Sequence, residues 1–159
     1  MKEIPIKGGK IALVDDEDYA FLSDSTWYMK GNYPGRRRRS GEPGKGQHIM
    51  MHRLILWAPD DKFVDHKNCD KFDNRKENLR LCTPGESVCN RKVTKVSKTG
   101  VKGVMHLNKN RGYSPQYKYR AKLKLNGVVY LDAPYKTLEE AKAAYDACAV
   151  KVHGEFARF

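Results

Sequence analysis

Hydrophobic and polar positions alternate most cleanly toward the C-terminal end of this chain. Tyr117, Tyr119, Ala121, Leu123 and Leu125 fall on one face of an extended segment, and Lys118, Arg120, Lys122 and Lys124 on the other. Asn126-Gly127 is a strong hairpin signal, Val128 to Leu131 supplies a return strand, and Val101 to Leu107 reads as a third. Thr137 and Glu140 then form a capping box, from which a helix runs to Gly154. Its apolar stripe is Ala141, Ala144, Tyr145, Cys148 and Val152, the available partner for the Tyr/Leu face of the sheet. That packing leaves the row of four cations exposed.

The pattern is shorter-ranged in the first half. Lys10 to Val14 predicts a strand, and Asp15 to Asp18 open a helical turn carrying Tyr19, Phe21 and Leu22. Those acids lack the alternating spacing and central glycine of a calcium loop. Trp27 and Tyr28 are expected to pack. Arg36 to Arg39, between Pro34-Gly35 and Ser40-Gly41, read as a loop or hairpin tip, either solvated or in contact with phosphate. Ile49 to Trp57 is apolar around His52-Arg53, and its period fits a strand or a short helix. Pro84 to Lys92 can start a helix, placing Ser87, Asn90 and Arg91 about a turn apart.

Charge changes this picture by dividing the chain. Residues 1–90 hold 16 Lys and Arg against 14 Asp and Glu, whereas residues 91–159 hold 15 against 5. No acidic residue occurs between Glu86 and Asp132, in a stretch rich in Lys, Arg and Tyr. Such a stretch is the electrostatic footprint of a nucleic-acid surface, since ordinary solvated faces mix their signs. A disordered RNA-packaging protein needs only the charge, but a chain with 40% hydrophobic residues reads as folded. The four cysteines (Cys69, Cys82, Cys89, Cys148) form no C-x-x-C pair, and their spacing fits no usual zinc finger. They read as reduced thiols of a soluble, cytoplasmic protein, and no apolar run approaches membrane-spanning length.

The most chemically suggestive segment joins these halves. V-D-H-K-N-C-D-K-F-D-N-R-K-E-N-L-R-L-C-T-P places Asp65, His66, Asn74 and Asn78 on a polar turn between the apolar stretches Leu54–Trp57 and Leu79–Leu81. Asp65 could hold a hard cation, and His66 could deprotonate water. Together they are equipment for one-metal hydrolysis of a phosphodiester.

The residues M-H-R-L…V-D-H…D-N-R-x-x-N-L-R-L-C-T-P…N-R, over residues 50–92, resemble an HNH endonuclease of the ββα-metal type. G-V-K-G-V…Y-R-A-K-L…N-G…E-E-A-K-A-A-Y-D…H-G-E-F-A, over about residues 98–159, resembles an ethylene-response-factor (Apetala-type) DNA-binding domain. The pairing resembles phage mobile-element nucleases, which implies the cytoplasm of a bacterial host. The expected fold is therefore α+β. A lead-in (1–49) precedes a small ββα nuclease core, a linker (93–100), and a three-stranded antiparallel sheet packed on one C-terminal helix.

The resemblance implies that His66 is the general base and Asp65 a ligand to one Mg²⁺ or Mn²⁺, with zinc not expected. Asn78 and Asn74 would brace the turn, and His52 would position the site or the DNA. Many relatives carry Asn where this chain has Ser87, so the second ligand falls to Ser87 or Asn90. A DNA-binding regulator with a decayed nuclease site is the competing reading. Double-stranded DNA is the implied partner, with monomer and homodimer both open. Arg53, Arg75 and Arg91 would contact it from the nuclease half, and Lys102, His106, Lys109, Arg111, Arg120, Lys122 and Lys124 from the sheet domain. Tyr119 stands where that domain usually has Trp, and Ala133 where it usually has Gly.

Overall fold

Ile4 and Ile6 are separated by one residue, as are Ala12 and Val14, and all four side chains are buried. In the computed structural model, which describes residues 1–90, 97–107 and 112–157, these pairs lie on β1 (Lys2–Lys7) and β2 (Lys10–Val14). Gly8 and Gly9 join the strands at φ +102° and +81°, a left-handed turn that residues with a Cβ resist.

The chain divides into two compact units, Met1–Ser87 and Val88–Phe159. In the first, α1 (Asp16–Ser23), β3 (Trp27–Lys30), β4 (Tyr33–Arg37), β5 (His48–Met50) and α2 (Met51–Ile55) come after the hairpin. Their strands form one sheet in the order β2-β1-β3-β4-β5. Ile4, Val14, Leu22, Trp27, Met51, Leu54 and Leu79 belong to a single core cluster. The segment expected as a lead-in thus shares its core with residues of the nuclease segment. Ile49 to Trp57, ambiguous by period, is strand and helix in succession.

Two of the four arginines depart from the expected loop, and Arg38 and Arg39 lie in it. Arg36 and Arg37 end β4, and Arg36 is only 5% exposed. Its guanidinium lies 5.2 Å over the Trp27 ring and donates from Nη1 to Glu42 Oε2 at 2.9 Å. That bond is the main reason the Glu42 carboxyl is held below the usual carboxylate range. Arg38 donates to the carbonyls of Glu42 and Gly46, and Arg39 to Ser25 Oγ. An aromatic face and a carboxylate outcompete water here, so most of this charge closes a loop.

A separate ribbon pairs β6 (Phe63–His66) with β7 (Leu79–Cys82), setting Asp65 opposite Arg80 and His66 opposite Leu79. α3 (Pro84–Cys89) comes next, giving the order ββα. Thr83 caps the helix: its Oγ1 accepts from Glu86 N at 3.3 Å, while the Glu86 carboxylate accepts from Thr83 N at 2.7 Å.

In the second unit β8 (Val104–His106), β9 (Tyr119–Leu125) and β10 (Val128–Tyr135) form an antiparallel sheet, with α4 (Leu138–His153) packed on it. The capping box at Thr137 and Glu140 is present, and Gly154 ends α4. Ala121 and Leu123 are buried with Val104, Ala141, Tyr145 and Ala149. β8 is shorter than the pattern suggested. β10 is longer, continuing past an irregularity between Val129 and Leu131 to Tyr135. Gly103, at φ +67°, passes so close to Tyr145 that a Cβ would sit 1.9 Å from the ring. Among the described residues no helix is long and apolar enough to cross a membrane.

Candidate active site

β6 ends at His66, and the segment from Lys67 to Asn78 is polar because it builds a loop from its own side chains. Asn78 spans that loop: its Oδ1 accepts from Asn68 N at 3.0 Å, and its Nδ2 donates to Asp73 O at 2.7 Å. Asp73 is gripped by the Arg75 fork, at 2.8 Å to each carboxylate oxygen, and by Asn68 Nδ2 at 2.9 Å. The Arg75 bonds are the first cause of the lowered pKa of Asp73. The loop also docks on β2. Leu13 N donates to Phe72 O and Asn74 N to Leu13 O, each at 2.8 Å, while Lys76 N reaches Asp15 Oδ2 at 2.7 Å.

Asn74 is fully buried within this loop. Its Nδ2 donates to Lys71 O at 3.2 Å, which turns Oδ1 toward His66 Nε2 at 3.4 Å. An amide oxygen only accepts, so the proton of the neutral imidazole sits on Nε2 and the basic lone pair on Nδ1. His66 is 5% exposed, and burial is the largest influence on its pKa, lowering it. The Asn74 bond and the charges of Asp65, Asp70 and Asp73 oppose that shift. His66 is therefore neutral at physiological pH, the state a general base requires.

Two aromatic rings stand against His66. Tyr33 stacks on it with centroids 6.0 Å apart and planes at 26°, and His52 meets it edge-on at 5.1 Å. Burial, then the charges of His66 and Arg53, push the His52 pKa down to about 3, and its buried Nδ1 has no hydrogen-bond partner. His52 is thus a neutral wall beside His66.

Asp65 precedes His66 on β6 and lies opposite Arg80 across the ribbon. Arg80 Nη2 and Nε donate to Asp65 Oδ2 at 2.9 and 3.1 Å. Cys82 lies two residues beyond Arg80 on the same face, and its thiol shares a hydrogen bond with Ser87 of α3. Burial, with the charges of Asp65 and Glu86, pushes that thiol up to about 11. The sulfur thus remains protonated, while Asp65 and Ser87 offer oxygen. This donor chemistry fits a hard divalent ion better than zinc.

The structure therefore brings His66, His52 and Asn74 together at the strand end, with Asn78 bracing the loop, while Asp65 pairs with Arg80 and Ser87 meets Cys82. Asn90 is buried in the second unit. Arg53 donates to the carbonyls of Ala58, Pro59 and Lys62, so its guanidinium fastens the turn after α2. Lys102 donates to Cys89 O, and His106 lies against Tyr119 with centroids 5.0 Å apart. Arg120 pairs through Nε and Nη2 with Asp132, and Lys122 Nζ is 3.8 Å from the same carboxylate. The expected row of four open cations is thus partly neutralised, with Lys118 and Lys124 exposed. Arg91, Lys109 and Arg111 lie outside the described residues. Sequence reasoning missed Tyr33 and Lys71, which carry no local signal. It also missed Arg80, which pairing Asp65 with its cross-strand neighbour would have found.

Buried asparagines here close a loop on a strand that ends Asp-His, and the chain belongs to the HNH endonuclease family. The profile described as HNH endonuclease matches residues 58–88. An uncharacterized HNH endonuclease of Acanthamoeba polyphaga mimivirus is 31% identical over 153 residues, covering 94% of this chain and 74% of that protein. No solved structure matches the chain.

Proposed function

We propose that this protein is a metal-dependent DNA endonuclease in which His66 activates the attacking water and the second unit holds the duplex. The observation that carries the reading is His66 itself, kept neutral by burial and oriented by Asn74 so that Nδ1 is the basic atom. His66 takes a proton from water, the hydroxide attacks phosphorus, and the bond to the 3′ oxygen breaks. Asn74 then accepts a stronger hydrogen bond from the imidazolium. Asn78 holds the loop, and with it Asn74, in place. One Mg²⁺ or Mn²⁺, held by Asp65 and Ser87, would supply positive charge to the phosphate and the leaving oxygen. Asp65 is shared with Arg80, whose cation balances the carboxylate in the absence of other charge.

The three-stranded sheet on a single helix, together with the Y-R-A-K-L and E-E-A-K-A-A-Y patterns, supports an ethylene-response-factor-like role for the second unit. A ribbon of this width fits the major groove, with Lys118 and Lys124 exposed, while His106 lies on the Tyr119 face of the sheet. Lysines mostly position the duplex on its phosphates.

The test incubates wild type and His66→Ala with mixed bacterial and phage DNA in Mg²⁺, Mn²⁺ or EDTA, and sequences all new ends. Metal-dependent ends produced by wild type alone are the expected result. Equal cleavage by both proteins would remove His66 from the mechanism.

A further inference from the structure

The loop that orients His66 also carries a cation that water activation by His66 does not use. Lys71 Nζ sits over the face of the Tyr33 ring, 4.8 Å from its centroid. Tyr33 in turn stacks on His66. The backbone of Lys71 belongs to the same assembly, since its carbonyl accepts from Asn74 Nδ2, and Asn74 Oδ1 faces His66. The contacts close a ring, Lys71 to Tyr33 to His66 to Asn74 and back to Lys71. Within it the ammonium and the basic imidazole are fixed by the same two neighbours.

The nearby acids do not neutralise this cation. Asp73 is committed to Arg75 and Asn68, and Asp70 Oδ1 accepts from Phe72 N. Among the described residues Lys71 forms no ion pair. An ammonium placed on a π face keeps its charge and gives up part of its hydration. It then offers N–H donors to an anion arriving at the same wall. The substrate of an endonuclease brings such anions as phosphate oxygens.

We propose that Lys71 is a substrate-binding residue of this site, donating to a phosphate oxygen of the strand being cut, with the Tyr33 ring holding the ammonium in place. The assignment rests on the nuclease reading and adds to it the group that sets the phosphodiester against His66. A merely structural lysine would act through its aliphatic stem, covering Tyr33. Charge therefore separates the two roles. Lys71→Met keeps the stem and removes the charge, and Lys71→Arg keeps the charge.

Two measurements on the full chain test it. The first is Mg²⁺-dependent nicking of supercoiled plasmid DNA as a function of pH. Lys71→Met is expected to lower kcat/KM by about tenfold to a hundredfold without moving the acid limb of the profile, and Lys71→Arg to recover most of the loss. The second is plasmid binding against salt for His66→Ala and for His66→Ala with Lys71→Met. The log–log slope is expected to fall by about 0.9, the mark of one lost phosphate contact. Unchanged slope and unchanged kcat/KM would overturn the proposal. So would equal damage from Met and Arg accompanied by a lower unfolding midpoint. Should His66→Ala cleave like wild type, the general-base assignment falls, and the salt slope still decides Lys71.

Discussion

Replacing His52 by Leu should flatten the pH dependence of stability of the first unit. In the unfolded chain His52 titrates near its ordinary value of 6.5, whereas in the fold its pKa is about 3. Between those values the unfolded state binds the extra proton. The stabilisation is therefore complete above about pH 6.5 and is lost as pH falls toward 3. At pH 5 the loss from this one group is about 2 kcal/mol relative to pH 7.5. The assay is urea unfolding monitored by tryptophan fluorescence. Trp27 and Trp57 are the only tryptophans of the chain, and both lie in Met1–Ser87, so the signal reports that unit. With a slope of about 2 kcal/mol per molar urea, the wild-type midpoint should drop by about 1 M more than that of His52→Leu over this pH interval. Midpoints that fall in parallel would show that His52 is hydrated and that the wall beside His66 is not dry.

His66→Ala should lower cleavage by about a hundredfold to ten-thousandfold, and the wild-type acid limb of kcat/KM should lie below pH 6.5, because burial lowers the His66 pKa. Asn78→Ala leaves Asp73 O and Asn68 N without their partner and should cost about 3 kcal/mol in the tryptophan-monitored transition. Gly103→Ala should leave that transition in place while stripping hydrogen-exchange protection from the β9 amides by about 3 kcal/mol, since the new Cβ meets Tyr145 in a left-handed conformation. Asp132→Asn should steepen the salt dependence of DNA binding by about one unit of log–log slope by releasing Arg120 and Lys122.

What could be read in advance depended on how locally each feature is encoded. The α4 cap at Thr137 and Glu140, the Asn126-Gly127 turn and the alternation of β9 are set by residues within a few positions of one another, and the structure carries all three. The polar loop from Asp65 to Asn78 was legible for the same reason: its asparagines bond to backbone groups ten or fewer residues away. The Arg36 pair with Glu42 was not, because an arginine run looks alike whether it meets water or a Trp27 face folded against it. Tyr33 and His52 reach His66 only through the five-stranded sheet, a relation that no local period encodes. The partial neutralisation of the basic sheet was hidden similarly, since Asp132 lies across a hairpin from the residues that it neutralises.

The bonds between Leu13 and the segment Phe72–Asn74 carry a consequence for the timing of activity. Residues some sixty positions apart must meet before the loop that aims His66 is in register. On the proposed mechanism, a chain still emerging from the ribosome would not cut while only part of the first unit has been made. A proteolytic fragment covering only the matched residues 58–88 would carry the Asp-His pair without its anchor. The loop's geometry thus belongs to the completed first unit and not to any shorter piece of it.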